Sequence, residues 1–184
     1  MNSIRASPFA GGVAVVFTVS VLVVGYTLLG IVPAFLFAFG YLGGLILWFL
    51  FATNASFGLI RWPYFLTLAL FIVHKWEERE YDFFPALSKL TGVPVPEVGS
   101  FWAVVLYASA AVWLCIPWLV KRSHPLGYYL AWTFFAAMGI TELAHFICPL
   151  FRDERYGYFP GMGSVVFLAP AAWWGLWRLK TASA

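Results

Sequence analysis

Charge is what this chain has least of. Of its 184 residues, eleven are Lys or Arg and eight are Asp or Glu, a charged share of 10% against 62% hydrophobic and 21% aromatic. Soluble domains carry about 25% charged residues, so the composition excludes a water-soluble globular protein and a disordered chain. Cysteine is nearly absent. Cys115 and Cys148 both stand inside apolar runs, where a thiol is a small hydrophobe, and no disulfide scaffold follows from them. The basic residues, which give a formal charge of +3 and a pI near 9.0, are scattered singly or in pairs between apolar stretches. In a soluble chain that balance would point to nucleic acid. Here it reads as a set of orientation signals for a membrane chain, and nucleic acid is excluded as a partner. The sequence also lacks a phosphate-binding glycine loop, a nucleotide fingerprint, a nucleophile elbow and the metalloprotease pattern H-E-x-x-H.

Long apolar runs are what remains, and they predict an all-α, polytopic transmembrane helix bundle of about six spans, with five as the alternative. Each span needs roughly 20 residues. No charged residue stands between Arg5 and Arg61, too long a stretch for a cleaved signal segment, and it divides into helices at about Phe9–Leu29 and Pro33–Ala52. Gly40 and Gly44 form a G-x-x-x-G on the second, which permits close helix contact. The third span begins near Arg61-Trp62-Pro63 and ends in the charged run His74-Lys75-Trp76-Glu77-Glu78-Arg79-Glu80. A loop is expected from Asp82 to Ser100, broken by Pro85, Pro94 and Pro96. Further spans follow at Phe101–Val120, Tyr128 to about Phe151, and Met162–Leu179. No internal repeat or second domain is visible, so residues 1–184 read as a single integral membrane domain.

Six spans put both termini on one side, with Arg5, Arg61, Lys121, Arg122, Arg178 and Lys180. The opposite side holds all eight acidic residues. The Lys/Arg asymmetry places both termini in the cytoplasm. The third and fifth spans then run in the same direction, and their polar ends share a membrane face.

Those polar ends carry the candidate chemistry. His74, Glu77 and Glu78 form H-x-x-E-E, whose i, i+3 and i+4 positions lie on one side of a helix. Glu142 and His145 form E-x-x-H. Counted from Tyr64 and Tyr128 the motifs begin about 15 and 21 Å along their helices, at similar depth. Two imidazoles and three carboxylates suit a divalent metal ion, Zn or Fe, with Glu77 or Glu78 as a general base on bound water. Glu142 stands within a span, where an acidic residue is costly unless paired, neutralised or facing a polar cavity. The bland alternatives are a Glu142–His145 or Glu142–Arg79 pair that only holds helices together, and a charged run that is simply the wetted end of a helix. Cys148 reads as packing. Ser164 reads as a helix N-cap that could reach the charged face. His124, in Ser123-His124-Pro125, faintly resembles a segment of membrane isoprenylcysteine-type methyltransferases, but it falls on the opposite face and reads as a loop residue.

The run His74-Lys75-Trp76-Glu77-Glu78 resembles the motif of the HXXEE-domain membrane proteins. The likeness continues through Phe84-Pro85, His145, Tyr158-x-Pro160-Gly161-x-x-Ser164 and Pro170, and covers about residues 62–179. Residues 1–61 add two N-terminal spans. The family pattern has an Asn where this chain has Thr141. The function of that family is unknown, so the resemblance implies membership and candidate residues rather than a reaction. Two function classes remain. One is a metal-dependent membrane enzyme that hydrolyses or oxidises a lipid-like or apolar substrate entering from the bilayer. The other is a non-enzymatic membrane protein, either a proton or metal-ion pathway or a structural bundle with buried polar pairs.

Overall fold

The computed structural model describes residues 7–51, 55–95, 97, 99–152 and 155–183. Arg5, Ala52, Pro96, Asp153 and Glu154, used in the readings above, lie outside the described residues. The described chain is all-helical: α1 Pro8–Leu29, α2 Ile31–Leu50, α3 Phe57–Glu80, α4 Phe83–Thr91, α5 Phe101–Ala111, α6 Ile116–Lys121, α7 Pro125–Gly139, α8 Ala144–Ile147 and α9 Met162–Thr181. Among the described residues, four helical stretches are long and apolar enough to cross a membrane: α1, α2, α3 and Pro125–Phe151. The expected fourth span divides at a 3₁₀ turn, Val112–Cys115. The expected sixth is α9, whose 20 residues include Pro170, Arg178, Lys180 and three tryptophans.

The centre of the bundle is α7. Apart from its first two residues, every position from Gly127 to Gly139 is buried, as a helix with apolar residues all round requires. It packs on α2, α9 and α6, while α3 lies along α9 and α1 along α2. The G-x-x-x-G of α2 brings its backbone against that of α7. A Cβ on Gly44 would lie 2.5 Å from the Thr133 Cα, and one on Gly40 would lie 2.8 Å from the Ala137 Cα. Small residues thus let the backbones of α2 and α7 touch, the usual source of helix association where lipid removes the hydrophobic driving force. The outer surfaces of α1, α2, α3 and α9 carry exposed Phe9, Val16, Ile31, Phe35, Ile72 and Phe167, a coat suited to acyl chains.

Backbone carbonyls freed inside the helices are taken by side chains from other helices. Pro63 has no N–H for Leu59 O, and Arg178 Nε of α9 donates to that carbonyl at 3.2 Å. Pro117 likewise leaves Trp113 O without its i+4 donor; that carbonyl accepts from the Ile116 N–H in the 3₁₀ turn and from the Tyr64 hydroxyl of α3 at 3.2 Å. Trp173 Nε1 of α9 donates to Gly139 O at 2.7 Å, so that carbonyl is occupied where a continuous helix would use it. The Leu143 N–H turns to Ile140 O instead, and the chain enters a 3₁₀ turn at Thr141–Leu143. The fifth span is therefore not one regular helix through Glu142 and His145. A break of this kind commonly accompanies a functional hinge or local strain.

The expected loop from Asp82 to Ser100 contains α4, nine residues long. Pro85 falls at its third position, where the N–H of a helix has no intrahelical partner in any case. Asp82 turns the corner from α3 with φ of 55°, and Leu87 anchors the helix by burial.

Candidate metal centre

Four polar residues meet where α3 passes the broken segment after α7. His74 and Glu78 come from the last two turns of α3, Glu142 from the 3₁₀ turn and His145 from α8. One ligand atom from each lies within 4.8 Å of all the others. The two imidazole centroids are 4.8 Å apart, with the rings edge to face.

The contacts form a closed ring that alternates nitrogen and oxygen. His74 Nε2 lies 3.2 Å from Glu142 Oε2 and 3.2 Å from Glu78 Oε1, and His145 Nε2 lies 3.2 Å from Glu142 Oε2 and 3.4 Å from Glu78 Oε1. A four-membered ring with such sides has its corners about 2.0–2.3 Å from its centre, the lower figure for a tetrahedral arrangement and the upper for a flat square, against Zn–N and Zn–O bonds of about 2.0–2.2 Å. Lys75 lies on the outer side of both carboxylates, hydrogen-bonded to Glu78 and ion-paired with Glu142. Its Nζ is 2.7 Å from Glu78 Oε2 and 3.9 Å from Glu142 Oε1, so each carboxylate turns one oxygen inward and the other to the lysine.

The tautomers follow from the outer partners. Ser164 Oγ donates to Gly161 O at 3.2 Å, so it accepts from His74 Nδ1 at 2.9 Å. His145 Nδ1 faces Pro160 O at 2.5 Å, and a carbonyl can only accept. Both Nδ1 atoms are thus protonated donors, and both Nε2 atoms point into the ring. Ligating histidines characteristically hand their second nitrogen to a carbonyl or hydroxyl in this manner, which fixes the ring plane and raises the basicity of the ligating atom.

The segment before α9 and the first turn of α9 provide those outer partners, Pro160 O and Ser164 Oγ, and close the site. Gly161 has φ of 96°, and a Cβ there would lie 2.6 Å from His145 Nδ1 and 2.7 Å from His74 Cε1. Both the backbone conformation and the space against the imidazoles require glycine. Phe159, fully buried, and Phe83 of α4 stand 5.9 and 5.1 Å from the His145 ring. Phe83 brings part of this apolar cover from the helix within the expected loop, and Phe159 brings the rest from the segment before α9.

Glu77 lies outside the ring, although its neighbour Glu78 belongs to it. Its carboxylate accepts from Gly163 N at 2.9 Å, from Ser164 N at 2.7 Å and from the Tyr158 hydroxyl. It therefore caps the N-terminus of α9, where free N–H groups and the helix dipole favour a negative charge. Burial, with the Glu77 carboxylate beside it, pushes the Tyr158 phenol up to about 12. The phenol stays a neutral donor throughout the physiological range.

Of the five residues singled out in the sequence, the structure brings together His74, Glu78, Glu142 and His145 and turns Glu77 to α9. Arg79 is exposed and makes no ion pair with Glu142; that position is held by His74, His145 and Lys75. Cys148 packs with Ala144 and Phe159 in a small apolar cluster. His124 caps α7, its Nδ1 accepting from Leu126 N at 3.3 Å. Sequence reasoning missed Lys75, although it stands inside the H-x-x-E-E motif, because its role depends on Glu142 of another segment. It also assigned Ser164 to a helix cap when its hydroxyl sets a histidine tautomer. No family model, curated protein or solved structure matches this chain.

Proposed function

We propose that the chain is an integral membrane protein in which His74, Glu78, Glu142 and His145 bind one divalent metal ion, and that this centre acts on a lipid-like or apolar substrate at the membrane face. The observation that carries the reading is the alternating ring of two Nε2 atoms and two carboxylate oxygens with sides of 3.2–3.4 Å, with both Nδ1 atoms committed elsewhere. The donor set separates two outcomes. Four protein ligands saturate tetrahedral Zn, which would make the centre a structural clasp. Iron accepts nitrogen and oxygen ligands and takes more than four, which leaves positions for water, oxygen or substrate. Enzymatic hydrolysis or oxidation is therefore tied to an ion that expands beyond four ligands.

Membership of the HXXEE-domain family belongs to the same proposal. Its support is that Tyr158, Pro160, Gly161 and Ser164, which carry the resemblance beyond the motif, all touch the cluster or Glu77. Metal analysis of the protein purified in detergent tests the reading. Near one equivalent of Zn or Fe, lost in His74→Ala and in His145→Ala while the helical content persists, supports it. Metal-free protein after growth with both metals, with Glu142→Gln as stable as wild type, refutes it.

A further inference from the structure

The face of the bundle away from the ring is cationic, and its described part has a consistent construction. Five basic side chains lie there: Arg61 at the start of α3, Lys121 and Arg122 at the end of α6, and Arg178 and Lys180 at the end of α9. Each stands over an aromatic ring. Arg61 lies 5.1 Å from the Trp62 centroid, Lys121 5.4 Å from Phe57, Arg122 3.9 Å from Trp118, Arg178 5.8 Å from Trp177 and Lys180 6.0 Å from Phe51. The pairs Lys121–Phe57 and Lys180–Phe51 join different helices, and Arg178 Nε donates to Leu59 O, so the five form one collar. Among the described residues none of the five has a carboxylate within salt-bridge distance; those ion pairs lie at the ring. Three basic residues nearer the ring contrast with the collar. Of Lys75, Arg79 and Lys89, only Lys75 stands over an aromatic ring, that of Phe71.

Such a collar has the chemistry of an anionic lipid surface. The tryptophans Trp62, Trp118 and Trp177 are all exposed, and indole rings favour the headgroup region. A ring beneath each cation holds the head at that level. With no acid to compete, phosphate is the counter-charge that fits, and guanidinium binds it in a fork. We infer that this collar binds the headgroups of anionic phospholipids and seats that end of the bundle against an anionic leaflet.

Thermal unfolding in lipid nanodiscs tests it independently of any metal. Wild type is expected to melt higher in discs of phosphatidylcholine with phosphatidylglycerol than in phosphatidylcholine alone. The variant Arg61→Gln/Lys121→Gln/Arg122→Gln/Lys180→Gln, which leaves Arg178 on its carbonyl, should lose most of that shift. Arg79→Gln/Lys89→Gln near the other face should keep it. If the fourfold variant fails to fold, Lys121→Gln/Lys180→Gln should lose part of the shift and Lys121→Arg/Lys180→Arg should retain it. Overturning results are no shift in wild type, an equal shift in the Gln variants, an equal loss from the Arg79/Lys89 variant, or an equal shift produced by inorganic phosphate in neutral discs.

Discussion

Gly161→Ala is the sharpest perturbation of the centre, because it adds one methyl group between two imidazoles. Two separate costs can be worked out. The backbone at φ of 96° disfavours a side chain by about 1–2 kcal/mol. The new Cβ, 2.6 Å from His145 Nδ1 and 2.7 Å from His74 Cε1, forces either the loop or the rings aside and loses the bond from His145 to Pro160 O, about 1 kcal/mol more. The expected destabilisation is about 2–3 kcal/mol, at about 2–4 °C of unfolding temperature per kcal/mol for a chain of this size. Because the outer partners orient the ligating nitrogens, metal affinity should fall about 10–100-fold. Gly92→Ala provides the control. It has φ of 71° but open space where the Cβ would go, so it should show the backbone cost alone and leave metal affinity unchanged. Unfolding in detergent and chelator competition measure the two quantities. A Gly161→Ala protein that binds metal as tightly as wild type would refute the seating of this loop on the histidines.

Ser164→Ala removes the acceptor of His74 Nδ1 and frees the ring to rotate; chelator competition should show affinity about 10–100-fold weaker, with Ser164→Thr closer to wild type. Glu77→Gln places an amide among three donors at the start of α9, and should cost about 1–3 kcal/mol in unfolding measurements while leaving metal stoichiometry intact. Lys75→Met frees the outer oxygens of Glu78 and Glu142, so X-ray absorption of the loaded protein should report added carboxylate oxygen at the metal. Affinity should also fall as pH is lowered from 7.5 to 5.5, since each ligating Nε2 must be free of its proton and each carboxylate ionised; the sign follows from competition between proton and metal.

The meeting of the two motifs was legible from chain direction alone, since the third and fifth spans run in parallel and place His74 beside Glu142 and His145. The expected convergence of both carboxylates of H-x-x-E-E does not occur: only Glu78 joins the cluster, and Glu77 turns to α9. Adjacent residues on an α-helix point about 100° apart, so when Glu78 faces the broken segment, Glu77 must face another neighbour, and α9 is there. The break after Gly139 was hidden because its cause, Trp173, lies on another helix. Helix α4 was hidden by Pro85 and the prolines beyond it, which read as loop signals although Pro85 sits where a first turn tolerates it. The spacing of the α2 glycines permits a close contact, and the structure supplies its partner, α7.

The carbonyl of Leu59 on α3 has a consequence for how the protein is made. It emerges early in synthesis, yet its donor, Arg178, belongs to α9. The same is true of His74, whose hydroxyl partner Ser164 opens α9, and of Gly139 O, which waits for Trp173. Until α9 joins, the earlier helices carry polar groups without their final partners, and water or transient contacts must serve instead. Completion of the bundle and completion of the centre are thus a single late event in biogenesis. A chain stalled before α9 would leave the Leu59 and Gly139 carbonyls without these donors and His74 Nδ1 without its acceptor.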